Sequence, residues 1–280
     1  MTRPLFAALL AGLLGGGALG ALVGEGPATV AYLSDTEEAH ARFTGNVPSA
    51  VCAAFWANST TRHDTLKITG SDHALDACMH SNRQFDLGGG RNTFHRTIRY
   101  VEAYKNNSNG HDLRAGIVQV RAEPYPYPFA IEDYQPGGCK AQAAAAQGQY
   151  YRHAGNVQIK GGPLREGLHY VEGSATVDLG VFAGGITIVA TRSIKIDTGF
   201  VTARPYVDGL VAFANGQGPN TLTFGNNGGS LEGVFYAPQG AVSFAGQNLT
   251  YAGQVVGDSI TLSGSNSFFR AAAPVATPRC

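Results

Sequence analysis

The sequence predicts an all-β fold, a right-handed parallel β-helix with about 18–22 residues per turn, and three observations carry that expectation. The first is a repeat. Val242-Ser243-Phe244-Ala245-Gly246-Gln247-Asn248 returns eighteen residues later as Ile260-Thr261-Leu262-Ser263-Gly264-Ser265-Asn266. Apolar residues alternate in each copy, which marks a strand with one buried face, and Gly with Asn supplies the corner that follows. The second is a set of equivalent strand positions. Phe235 maps to Val255, Phe244 to Leu262, and Tyr251 to Phe268 or Phe269, so three strands make one roughly triangular turn. The third is composition. There are 38 glycines and 14% charged residues among 280, where roughly 7% Gly and 25% charge are usual. Corners are abundant, and long charged surface helices are excluded.

Taken in order, the chain opens with Arg3 and an uncharged run, Pro4 to Gly24, built from Leu, Ala and Gly. This pattern predicts a signal helix with Leu5–Val23 as its apolar core, within a signal segment 1–31. Thr29 and Ala31 are the small residues of a cleavage site before Tyr32. The alternative is an uncleaved membrane anchor. Residues 32–59 read as a connector and N-terminal cap. A first β-helix block follows over 60–104, with strands at Leu66-Lys67-Ile68, Phe85-Asp86-Leu87 and Thr97 to Val101.

Residues 105–155 read as an insertion. They contain the Asn-rich loop 106–110, the proline-rich run 124–128 and a short alanine-dominated helix over 141–149. The main block is expected over 156–270, and 271–280 as a flexible tail. Phe224, Phe244, Ile260 and Leu262 are candidates for stacked interior columns. Asn248 and Asn266 are expected to stack at one corner, since Asn tolerates the left-handed backbone there.

Two stretches carry resemblances. Ala28-Thr29-Val30-Ala31-Tyr32-Leu33-Ser34-Asp35-Thr36-Glu37 with Phe43-Thr44-Gly45-Asn46 resembles the junction of SipW-type exported proteins, the group that includes TasA-like matrix-fibre and camelysin-like proteins. Gly167 to Gly173, Gly184 to Thr191, Gly233 to Pro238 and Ile131-x-Asp133-Tyr134-x-Pro136-Gly137-Gly138 resemble uncharacterised pilus-associated surface proteins with a β-helix. Both resemblances imply an exported protein of the cell surface, and neither brings an activity or a cofactor with it.

Cysteines stand at 52, 78, 139 and 280, in a chain expected to be exported. Two disulfides are allowed in three pairings, and a Cys52–Cys78 bridge is preferred because its span is close to one turn. Cys280 is then a candidate free thiol. The net charge of zero and the lack of a Lys/Arg stripe exclude a basic nucleic-acid footprint. Polysaccharide-cleaving β-helices bring several carboxylates, or carboxylates with Arg or Lys, together on adjacent turns, whereas Glu172, Asp178, Asp197, Asp208, Glu232 and Asp258 are isolated here.

The histidines 63, 73, 80, 95, 111 and 153 have no metal-ligand spacing and read as surface or partly packed. Gly88-Gly89-Gly90-Arg91 reads as a turn, and the glycosylation-like triplets at Asn58, Asn106 and Asn248 as chance matches. Outward Thr187, Thr223, Ser243 and Thr261 do not make a regular ice- or glycan-binding array. Trp56 is expected to cap the first turn. Tyr125, Tyr127, Tyr134, Tyr150 and Tyr151 are expected to seal the insertion against the coil.

The function expected is therefore that of an exported structural or adhesive protein of the cell surface or extracellular matrix, without catalytic, cofactor or metal residues. The alternatives are a β-helix carbohydrate-active enzyme and a glycan-binding module. Expected partners are surface glycans or envelope components, and further copies of the chain joined through coil ends at Leu262, Phe268 and Phe269. There, no later rung of sequence covers the apolar residues.

Overall fold

The computed structural model describes residues 52–108, 110–126, 129–159, 165–178 and 181–272, with the backbone of two further strands. Those two, Gly20–Leu22 and Val30–Tyr32, pair antiparallel, with Ala21 opposite Ala31. They belong to a unit spanning residues 1–48, and the coil belongs to a second unit spanning 49–280. The rest of the expected signal helix lies outside the described residues, as does Cys280. Among the described residues, no helix is long and apolar enough to cross a membrane.

The second unit is a parallel β-solenoid of about ten turns. Three faces repeat. One rung runs Gly229–Gln247, and its three parts pair with the matching parts of Leu249–Ser265 one rung on. Phe235 lies opposite Val255, Phe244 opposite Leu262, and Tyr251 opposite Phe269, as the repeat predicts.

Inward side chains form continuous columns. One runs Ile196, Phe224, Phe244, Leu262, Ile68, Leu87 through successive register partners. Phe224 and Phe244 stack with centroids 4.6 Å apart. Each fully buried Phe of this kind contributes roughly 1.5–3 kcal/mol by leaving water.

One corner keeps left-handed backbone through four consecutive rungs, at Asn248, Asn266, Asp72 and Arg91, with φ of 52°, 52°, 59° and 54°. Asn and Asp tolerate this conformation through local polar contacts. Arg91 is held there by two hydrogen bonds to the Asp72 carboxylate, at 2.6 and 2.8 Å. Gly88-Gly89-Gly90-Arg91 is thus a corner between strands. A Cβ on Gly89 (φ 72°) would sit 1.8 Å from the Gly70 carbonyl oxygen of the neighbouring rung, so only glycine fits.

The order of rungs departs from chain order. Strand Ala53–Ala57 adds onto the last long strand, with Phe55 opposite Val255 and Trp56 opposite Val256. Leu66–Ile68 adds onto Ile260–Leu262, and Ala74–Asp76 onto Phe268–Arg270. The coil therefore begins in its middle. Residues 53–119 build upward from this seam, while 150–270 build up to it from the opposite end.

Several expected boundaries shift as a result. The coil starts at Ala53, within the expected connector. It continues through Ala103–Asn106, Asp112–Leu113 and Ile117–Gln119, because the Asn-rich loop is a corner between rungs. It resumes at Tyr150–Ala154. The segment that leaves the ladder is 120–149.

That segment is a strap. It leaves one end of the coil and returns along a single face to the other end. Glu123 bonds to Asn82, Tyr125 to Asn58, Phe129 packs on Tyr236 and Tyr134 on Phe213. These contacts descend the coil over four rung steps, roughly 19 Å at about 4.8 Å per rung. The helix Cys139–Ala146 then lies at the foot, starting two residues before and ending three residues before the expected 141–149. It buries Ala141 and Ala144, whose small side chains permit close packing, and Gln147 and Gly148 (φ 70°) end it.

Under the strap, the coil face is apolar on both sides. Trp56, Val256, Tyr236, Phe213, Val189 and Tyr170 face the strap, while Phe55, Val255, Phe235 and Ile188 face inward. Ala53–Ala57 and Leu210–Ala214 are accordingly buried at every position, whereas Ile194–Thr198 on an uncovered face alternates buried and exposed.

Candidate functional site

A cleft of about 430 Å³ opens where the strap crosses the seam. It is built by Asn58 at the end of one seam strand, the loop after it, Asn82 one rung on, residues 122–124 of the strap, and Pro238 with Asp258. The amides hold its wall together. Asn58 Oδ1 accepts from Trp56 Nε1 and from the Tyr125 backbone N–H, both at 3.1 Å. Asn82 Nδ2 donates to the carbonyls of Asn58 (3.2 Å) and Glu123 (2.7 Å), and its Oδ1 accepts from the Glu123 N–H at 2.9 Å.

That Oδ1 also lies 2.8 Å from His80 Nε2. An amide oxygen accepts only, so Nε2 carries the His80 proton and Nδ1 is bare, 3.7 Å from Glu123 Oε1. Burial pushes the His80 pKa down, with Asn82 and Glu123 partly offsetting it. The neutral ring stacks under Trp56 at 3.9 Å. The Ser59 hydroxyl accepts from the N–H of Arg62 at 3.2 Å, and Arg62 reaches Asp258 at 2.6 Å. Most polar atoms of the cleft are thus spent on the strap and loop. Thr60, Thr61 and the two carboxylates Glu123 and Asp258 complete the lining.

The structure separates the other acidic candidates. Asp208 is buried beneath the strap, where Tyr134 donates to it at 2.7 Å and Lys140 pairs with it at 3.0 Å. Glu172 pairs with Arg152 and Asp197 with Lys195. Asp178 and Glu232 are exposed. Among the described residues, no three of His, Cys, Asp and Glu are grouped to hold a metal ion.

His63 is exposed, and His95, His111 and His153 are half-buried. His73 and His80 are not at the surface, at 1% and 0% exposed, since their strands lie in the coil's middle. Trp56 does not cap a first turn, because the rung of Leu249–Ser265 lies beneath it and Cys78–Ser81 above. Tyr125 and Tyr134 are buried between strap and coil. The Thr187 hydroxyl points into the strap face and donates to the Leu210 carbonyl at 2.5 Å. Thr223, Ser243 and Thr261 do stack in register, but Lys195 and Lys67 bound them on either side.

Cys52 and Cys78 are bonded, with Cα atoms 5.1 Å apart. Cys139 is also disulfide-bonded. Ala31 and Tyr32 lie in the strand Val30–Tyr32.

The premise for self-association at Leu262, Phe268 and Phe269 is overturned. Leu262 and Phe269 are both 0% exposed, covered by Ile68 and Leu75 of the rung that the N-terminal half supplies, and Phe268 points outward at 39%. The open ends of the ladder are instead Ala103–Gln119 and Tyr150–Ile159. The seam, the Asp208 lock and the Asn58–Asn82 network are absent from the sequence expectations. Only the polar residues interrupting strand pattern, at 80, 82 and 208, signal them.

No protein-family model, curated protein or solved structure matches this chain.

Proposed function

We propose that the chain is an exported structural or adhesive protein of the cell surface or extracellular matrix, serving as a rigid β-solenoid without catalysis. The observation that carries this reading is the dispersal of its carboxylates. Asp258, Asp208, Glu172 and Asp197 sit at different places on the coil, and each is neutralised by its own Arg or Lys. Glycoside hydrolysis calls for two carboxyl groups flanking the scissile bond. Paired cysteines support the export reading, since disulfides persist in oxidising compartments. Cleavage between Ala31 and Tyr32 is part of the proposal, with an uncleaved anchor as its alternative.

The cleft favours one second reading, a glycan site, because Glu123 and Asp258 both line it. Incubating the purified protein with acidic polysaccharides separates the two. The structural reading expects no turnover. Turnover that disappears in Glu123→Gln or Asp258→Asn overturns it. N-terminal sequencing of extracellular protein tests export, with Tyr32 expected as the first residue.

A further inference from the structure

We propose that the foot of the coil carries a proton-sensitive latch, formed by His153 and His169, that holds the terminal rung Tyr150–Ile159 to the rest of the ladder. The inward column that reads Ile188, Ala212, Phe235, Val255 and Phe55 along the coil ends in His169 and Tyr151. His169 is 5% exposed. Its ring lies parallel to that of His153, with centroids 5.5 Å apart, and stacks on Tyr151 at 4.7 Å. At this point the apolar interior gives way to a polar joint between the last two rungs.

The hydrogen bonds fix where the protons are. His169 Nε2 is 2.9 Å from the Arg165 carbonyl oxygen. A carbonyl only accepts, so His169 carries its proton on Nε2 and its Nδ1 is bare. His153 Nε2 lies 3.2 Å from that Nδ1, so His153 must be the donor between the rungs. A proton arriving on His169 Nδ1 would set N–H against N–H and break the bond. A proton on His153 Nδ1 would leave the bond intact but add charge beside a buried ring. The latch is closed when His169 is neutral, and opens when it is protonated.

Among the described residues, the surroundings do not supply a counter-charge. On the strand of His153, Arg152 is paired outward with Glu172. In the loop before His169, the Arg165 guanidinium sits 6.0 Å over the Tyr151 ring, adding positive charge. Glu166 is committed to the Gly185 N–H at 3.1 Å. The next rung presents uncharged Thr187 and Ile188. Burial pushes both imidazoles below the ordinary value; for His169 the hydrogen bond to the Arg165 carbonyl partly offsets this, and the neighbouring His153 adds to the lowering. The folded rung therefore binds protons less readily than the released one, and acid favours release.

Hydrogen exchange on the full chain tests the latch. Protection factors, corrected for intrinsic rates, are compared at about pH 7.5 and about pH 5, below the ordinary histidine value of ~6.5. Protection at residues 150–159 should fall about two- to tenfold relative to Ala53–Ala57, as the loss of one hydrogen bond between the rungs implies. His169→Gln, which cannot titrate, should remove that difference. Equal protection at both pH values, or a pH response that persists in the variant, overturns the proposal. Imidazole ¹⁵N shifts of the unsubstituted protein give a second reading that does not depend on the variant folding. Nε2–H tautomers at both residues support the latch, and an Nδ1–H tautomer at His169 overturns it.

Discussion

Phe55, on the first strand of the coil in sequence, meets Phe269, on the last, edge to face with ring centroids 5.3 Å apart. The two ends of the coiled sequence thus join inside the hydrophobic interior. Phe269 is fully buried, and its neighbour Phe268 points outward. Phe269→Ala should cost about 3–5 kcal/mol of stability, and Phe268→Ala less than about 1 kcal/mol. Urea unfolding of the two variants measures the contrast. Equal costs would show that the rung is not covered.

The strap is held where Tyr134 and Lys140 meet the buried Asp208 carboxylate. Burial, then Asp208, pushes the Tyr134 pKa far above its ordinary value, so the hydroxyl stays a donor. Tyr134→Phe should cost about 1–3 kcal/mol, because a buried acceptor loses its partner. Asp208→Asn retains a side chain that tolerates the left-handed backbone at this position (φ 56°). It should cost less than Asp208→Ala. Thermal unfolding ranks the three.

The Cys52–Cys78 bridge closes a span of 26 residues. Constraint of the unfolded chain over such a loop is worth about 3.5 kcal/mol. Replacing both cysteines by serine should lower stability by that order, with the strands on either side of the seam losing exchange protection first.

His73 is buried against Phe269 at 5.5 Å, and neither ring nitrogen has a hydrogen-bond partner. Burial, partly offset by Asp72, lowers its pKa to about 4. The unfolded chain takes up this proton near the ordinary value of ~6.5, before the folded one does. Stability from a neutral His73 is complete above that pH and declines as pH falls toward the folded value, by up to ~1.4 kcal/mol per pH unit. His73→Leu should flatten this limb of the stability–pH curve, followed by urea midpoints. An unchanged limb would place the titration elsewhere.

The sequence was readable where one rung resembles the next. Val242 to Asn248 and Ile260 to Asn266 announce strand, corner and period together, and the pairing of Phe244 with Leu262 follows directly. The seam was not readable, because Leu66-Lys67-Ile68 alternates like any other rung and nothing local says which strand it will cover. Sequence order suggested that Phe269 had no neighbour beyond it, while Leu75 fills that place. The strap's aromatic residues were visible as a cluster. Their descent along one face was not, since it depends on contacts such as Tyr125 with Gln254, 129 residues apart in the chain. The acidic residues likewise gave no hint that Glu123 and Asp258 share a cleft.

The central structural claim is that the coil runs 150–270 and then 53–119 as one uninterrupted ladder. A circular permutant tests it most directly. Within the ordinary coil, one residue, Ala77, carries the chain from Ala74–Asp76 to Cys78–Ser81. A short linker from Arg270 to Cys52 should therefore make the same step and keep the Cys52–Cys78 bridge, with new ends placed at the turn glycine Gly148 so that the strap stays attached. The permuted chain should show the native β-sheet circular dichroism, one cooperative unfolding transition and undiminished exchange protection at 53–76 and 249–265. An unfolded permutant, or one whose two blocks unfold separately, would contradict the seam.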